Sequence, residues 1–124
     1  MTAPMKKVLV TGGRKFDNYK LLNSHLTSLA EHWLTIIHGG ATGADELASE
    51  WAVINDVPCI RHPARWDAHG KAAGPIRNRQ MLEWWEPDLV IAFPGGRGTE
   101  NCIKQARELG IEVRIATTPP PTLG

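Results

Sequence analysis

Three glycine pairs in this chain each follow a short apolar run. Gly12-Gly13 follows Lys7-Val-Leu-Val10, Gly39-Gly40 follows Leu34-Thr-Ile-Ile-His38, and Gly95-Gly96 follows Leu89-Val-Ile-Ala-Phe93. A glycine after a strand lets backbone approach a ligand without a Cβ in the way. Where a helix follows, its first turn offers unpaired N–H groups and the positive end of a dipole, which together suit a phosphate. The segment from Pro94 through Gly95, Gly96, Arg97, Gly98 and Thr99 has this form, with a hydroxyl and a guanidinium added. It is neither a Walker loop nor a GxGxxG turn.

The second loop, His38-Gly39-Gly40-Ala41-Thr42-Gly43-Ala44-Asp45, offers the same physics at the next helix. Two roles fit Asp45: a carboxylate complementing the helix dipole, or one facing ribose hydroxyls. His38, at a strand end, reads as a structural hydrogen-bonding group. In the first loop, Thr11-Gly12-Gly13-Arg14, the arginine is placed to close over a phosphate or stack on a base. A fourth segment carries Arg61, Arg65, Lys71, Arg77 and Arg79 against one acid, Asp67, with His62, Trp66 and His69 interleaved. Cations beside an aromatic suit an anionic, aromatic ligand. Arg77-Asn78-Arg79 follows Gly74-Pro75, a helix-start signal.

The elements that must hold these loops alternate. Leu22, Leu26, Leu29 and Trp33 make one helical stripe; Ala44, Leu47, Ala48, Trp51 and Ala52 make a second. Cys59 to His62 reads as a third strand, and Pro63 to Pro75 as an irregular stretch too polar for a core element. Ile76 to Trp84 reads as a helix stopped before Pro87, and Cys102, Ile103, Ala106 and Leu109 as the stripe of another, ended by Gly110. Ile111 to Ile115 is a fifth strand. Strands alternating with helices imply right-handed crossovers, a parallel sheet of about five strands, and ligand binding at the strands' carboxyl ends. The three glycine pairs then share one edge. One domain spans residues 1–116, and the proline-rich tail 117–124 is expected to be extended and mobile.

Composition narrows the class. The chain has 124 residues, 42% hydrophobic and 22% charged, as one globular domain would. No apolar run approaches the roughly 20 residues of a membrane-spanning helix. The residues after Lys6-Lys7 are too few to form a signal-peptide core. The net charge of +1 confines any nucleic-acid surface to a local patch. Cys59 and Cys102 have no metal-ligand spacing, so no metal site is expected and a reduced, cytoplasmic setting fits. Cys102 reads as a buried small hydrophobe. Adjacent Trp84 and Trp85 cannot both be buried on one helix face, and with Met81 and Leu82 they point to a homodimer, or a dimer of dimers, in contact near this helix.

Val10-Thr-Gly-Gly-Arg14, His38 to Asp45, Gly74-Pro-Ile-Arg-Asn-Arg79 and Phe93 to Thr99 run in order along nearly the whole chain. Together they resemble the motifs of the SMF/DprA–LOG superfamily, and most of all its small single-domain YspA-like branch, related to the YpsA proteins. The resemblance implies a Rossmann-like three-layer sandwich with helices on both faces of the sheet. It also implies a nucleotide or nucleotide-derived ligand over the glycine loops, and frequent homo-oligomers. LOG enzymes, which cleave a nucleotide N-glycosidic bond and release ribose 5-phosphate, carry Pro-Gly-Gly-x-Gly-Thr-x-x-Glu, with the final Glu catalytic. Here that position is Cys102, and Glu100 lies two residues earlier, about 200° around a helix. DprA proteins bind single-stranded DNA, and their Arg-Asn-Arg resembles Arg77-Asn78-Arg79.

Three functions follow in order of preference. The first is a sensor or sequestering module for a nucleotide, with NAD- and ADP-ribose-related ligands among the candidates and no resident cofactor assigned. The second is a nucleotide N-glycosidase using Asp45 or Glu100. The third is single-stranded DNA binding, for which only Trp66 offers a stacking platform.

Overall fold

The computed structural model describes residues 5–29 and 33–121. β1 (Met5–Thr11), α1 (Tyr19–Thr27), β2 (Trp33–His38), α2 (Ala44–Ile54) and β3 (Cys59–Arg61) come first. A single turn, α3 (Trp66–His69), and a 3-10 turn (Gly70–Ala72) lead into α4 (Ala73–Trp85). β4 (Leu89–Ala92), α5 (Arg97–Glu108) and β5 (Glu112–Ile115) complete the order.

The sheet runs β3-β2-β1-β4-β5 and every pairing is parallel. Val8 lies between Ile36 of β2 and Leu89 of β4, so β1 is central. Its side chains alternate between two cores. Val8 and Val10 pack with α1 and α2 residues such as Leu22, Leu26 and Trp51, whereas Leu9 packs with Met81 and Leu82 of α4 and Cys102 and Ala106 of α5. Burial on both faces is why these strands read as unbroken apolar runs. The sheet thus has helices on both sides in a Rossmann-like three-layer arrangement. After β3 the chain crosses back to the far side of β1, so the strand order reverses between β1 and β4. The crevice beyond their carboxyl ends is where such sheets take ligands.

Three differences from the sequence reading go beyond a shifted strand end. Trp33 does not close the first helical stripe; it opens β2 and is 68% exposed. α4 starts at Ala73 rather than Ile76, with Pro75 inside its first turn, where a missing N–H costs nothing. The stretch from Pro63 holds α3, closed by the N–H groups of Ala68 and His69 on the Arg65 carbonyl, and it buries no residue. In the tail, His25 Nε2 donates to the Thr118 carbonyl at 2.7 Å, tying that residue to α1. The end of the expected mobile tail, 122–124, lies outside the described residues. Among the described residues no helix is long and apolar enough to cross a membrane.

Candidate functional site

A cleft of about 510 Å³ opens at the β1–β4 crevice. Thr11, Gly12, Gly13 and Arg14 form one wall. Gly96, Arg97, Gly98 and Thr99 form another, and Lys71, Arg77 and Asn78 a third, with Ala41 and Asp45 at the back. All of these were candidates from sequence. Trp66 joins them, with Gly74 and Pro75, read from sequence only as a helix start, and Asn101, which sequence reasoning passed over. Pro94 and Gly95 face a neighbouring recess beside Lys15 and Phe16. Gly39, Gly40 and Thr42 face a second chamber on the other side of Arg14 and Trp66.

The third glycine loop is held against the first. Gly13 N–H donates to the Pro94 carbonyl at 2.9 Å. Gly95 sits so close that a Cβ there would lie 2.6 Å from the Gly13 nitrogen. Gly96 and Gly98 are different: a Cβ on either meets nothing within 4 Å. Gly96 is the N-cap of α5 with φ −108°, and no side chain caps this helix. An uncapped first turn therefore borders the cleft, with its N–H groups uncovered by any neighbouring side chain on Gly96 or Gly98.

The second glycine loop is built the other way. Asp45 Oδ2 accepts the N–H groups of Gly39 at 3.0 Å and Ala41 at 3.2 Å, and His38 Nδ1 accepts that of Gly40 at 3.0 Å. Ala44 N–H goes to the Gly13 carbonyl at 3.2 Å. Those four amides are taken up inside the protein, which leaves the loop with fewer donors for a phosphate than its sequence offers. Its positive potential comes from side chains instead. Arg77 donates to the Gly39 carbonyl at 2.6 Å and, through Nε, to Asn78 Oδ1 at 3.0 Å. Asn78 is buried and passes the tie on to the Gly98 carbonyl at 3.2 Å and Asn101 Oδ1 at 3.1 Å. The Arg14 guanidinium stands 5.7 Å over the Trp66 ring, in cation–π contact.

Burial dominates the ionisation of the two loop-holding groups. It pushes the Asp45 carboxyl up to about 6, against the opposing pull of its amide donors and Arg77. Burial, with the charges of Arg61 and Arg77, pushes His38 down to about 4. His38 is thus a neutral acceptor, in keeping with a structural role. Asp45 is the only carboxylate lining the cleft among the described residues. Glu100, the other candidate acid, is exposed and lines a groove with Ile103, Arg107 and Ile115, apart from the cleft. Cys102 is fully buried beneath Thr11, and burial pushes its thiol up to about 11.

A family model described as "YspA, cpYpsA-related SLOG family" matches residues 6–69. The chain is similar to the Gene 61 protein of Mycobacterium phage D29, at 37% identity over 120 residues, covering 88% of this chain and 94% of that protein. Among solved structures it is similar to TM1055, a structural-genomics target, with a TM-score of 0.68 and 22% identity over 88% of this chain and 72% of that one. Acinetobacter baumannii MurG matches with a TM-score of 0.57 and 14% identity, over 87% of this chain and 33% of that one. At those identities the two structures speak for the fold alone. The family match and the phage relative speak for descent, and the chain belongs to the YspA, cpYpsA-related SLOG family.

Proposed function

We propose that this protein binds a nucleotide or nucleotide-derived small molecule in the β1–β4 cleft, as a sensor or sequestering module. The observation that carries this reading is the uncapped start of α5, where Gly96 and Gly98 leave open space before the first-turn amides. Arg14, Lys71, Arg77 and Arg97 surround that space with one buried acid among them. Trp66 supplies an aromatic face for a base. Family membership and the Rossmann-like fold support nucleotide-related binding in general.

The test is calorimetric titration with AMP, ADP-ribose and NAD. Gly96→Val is expected to abolish binding while leaving the far-ultraviolet circular dichroism unchanged, since the change lies in an exposed turn where a Cβ meets nothing within 4 Å. Arg77→Ala, which removes an ionic hydrogen bond, is expected to weaken binding by about 1.5–3 kcal/mol, roughly 10- to 150-fold. Undiminished affinity in both folded variants would place the phosphate elsewhere.

Asp45 favours a second reading, nucleotide N-glycosidase, because a carboxyl held near 6 in a cleft suits general acid–base work. Binding without turnover is preferred. One Asp45 oxygen is committed to the Gly39 and Ala41 amides, and Cys102 stands where the LOG pattern has its glutamate. Little or no ribose 5-phosphate is expected from nucleoside monophosphates. Robust release that Asp45→Asn abolishes would establish the glycosidase instead.

A further inference from the structure

Behind the Arg14–Trp66 pair lies a second chamber of about 370 Å³. Three guanidinium-bearing residues, Arg14, Arg61 and Arg77, line it, and no carboxylate does. The packing is close: a Cβ on Gly40 would lie 2.7 Å from Arg61 Nε, and a Cβ on Gly39 would collide with the Arg77 guanidinium. Gly40 also has φ +73°, so glycine is required there by the backbone as well as by the approach of Arg61. Arg65 pairs with Asp67, and Arg79 with Glu83 and Glu108. Among the described residues Arg14, Arg61 and Arg77 have no ion-pair partner within 4.0 Å. Nor do the loop amides serve there, since Asp45 and His38 hold those of Gly39, Gly40 and Ala41.

Burial and Arg14 oppose the charge of Arg77, Asp45 offsets only part of that, and an anion among the three guanidinium groups adds attraction to all of them. Arg77 already spends Nε and Nη1 on Asn78 and the Gly39 carbonyl, so it contributes charge, while the forks of Arg14 and Arg61 can match phosphate oxygens in bidentate pairs, which makes a phosphoryl group the natural occupant. The chamber shares Arg14, Ala41, Trp66 and Arg77 with the main cleft, so one molecule can reach both.

We infer that the Arg14–Arg61–Arg77 chamber is a second phosphoryl subsite, and that the ligand is a nucleotide with two separate phosphoryl groups. One group sits at the start of α5 and the other in this chamber, with the nucleoside passing the Arg14–Trp66 pair. This rests on the cleft reading above, and the experiment separates the two.

Amide and arginine Nε–H resonances are followed by NMR during titration with inorganic phosphate alone. AMP and adenosine 3′,5′-bisphosphate are compared by calorimetry. Wild type, Arg61→Ala and Gly96→Val are used; Arg61 is exposed at the end of the edge strand β3, so its removal spares the core. Phosphate is expected to shift Gly96 to Thr99 and, separately, Arg61 and Thr42. Arg61→Ala should erase the second set and leave the first. The bisphosphate should bind at least tenfold more tightly than AMP, and Arg61→Ala should remove that gain without weakening AMP. If AMP binds and Gly96→Val weakens it, but the bisphosphate gains nothing or its gain survives Arg61→Ala, this inference falls and the cleft reading stands. If AMP and phosphate leave Gly96 to Thr99 unmoved, the cleft reading itself falls.

Discussion

His38 and Asp45 grip one loop from its two ends: the imidazole takes the Gly40 amide, and the carboxylate takes those of Gly39 and Ala41. Both are buried, at 3% and 6% exposure, and both are driven towards their neutral forms. The same desolvation acts on an acid and on a base, so its effects on stability have opposite signs.

For Asp45, a carboxyl raised from 3.8 to about 6 means the folded chain keeps a proton that the unfolded chain releases. That contribution is fully present below pH 3.8 and is lost as pH rises to about 6. For His38, lowered from 6.5 to about 4, the unfolded chain binds the extra proton, so stability is gained as pH rises through that window. Each effect amounts to about 3 kcal/mol, and between pH 4 and 6 they nearly cancel. Urea unfolding curves of wild type, Asp45→Asn and His38→Asn at pH 4 and pH 7 separate them. Relative to wild type, Asp45→Asn is expected to gain stability on going to pH 7 and His38→Asn to lose it. Parallel difference curves for the two variants would contradict the opposed burial of these groups.

The glycines divide into those required by packing and those facing open space. Gly43 has φ +76°, and a Cβ there would lie 2.6 Å from the Arg14 carbonyl oxygen. Gly43→Ala is therefore expected to destabilise by more than about 1 kcal/mol. Gly98→Ala meets nothing, lies in the first turn of α5, and is expected to leave stability unchanged or raise it by up to about 1 kcal/mol. Equal losses for the two, measured by urea unfolding, would show that the loops are not packed as described.

Much of the element order was legible, because strands buried on both faces carry continuous apolar runs and the glycine pairs mark their ends. Trp33 was misplaced for a physical reason: it continues the helical spacing of Leu22, Leu26 and Leu29, and periodicity alone does not register that α1 stops at Thr27. In the site, residue types were legible and their partners were not. Nothing local says that Asp45 turns back onto Gly39 and Ala41 and takes up their two amides. The Arg14–Trp66 contact joins distant segments, and its only sequence trace was a tryptophan among cations. Glu100 was readable as an acid near the phosphate loop, but the turn of α5 carries it to another face.

Trp84 and Trp85 part as their adjacency requires. Trp85 is half-buried against the α4–α5 core and donates to His62 Nδ1 at 3.1 Å, whereas Trp84 is 65% exposed, its ring centroid 5.1 Å from that of His62. We propose that this face of α4 carries a two-fold homodimer contact, alone or within a dimer of dimers. Trp84→Ser is expected to weaken self-association at least tenfold, as loss of a central aromatic does. Light scattering that returns 13.7 kDa for wild type at micromolar concentration would remove the proposal.

Arg77 both carries charge and holds geometry, and two substitutions separate these. Its guanidinium ties the Gly39 carbonyl of the second loop to Asn78, which in turn holds the Gly98 carbonyl at the start of α5. Lysine keeps the charge but has no planar fork to bond both partners at once. Arg77→Lys is therefore expected to retain the electrostatic part of phosphate binding and lose the alignment, weakening AMP less than Arg77→Ala does. The charge has its own readout, since Arg77 helps hold Asp45 down and helps push His38 down. Removing it in Arg77→Ala should raise both titration midpoints, seen by NMR at the Asp45 carboxyl carbon and the His38 ring, while Arg77→Lys should move them much less. If both variants weaken AMP equally and neither midpoint moves, Arg77 is a structural strut and the charge lining the cleft is supplied by Arg14, Lys71 and Arg97.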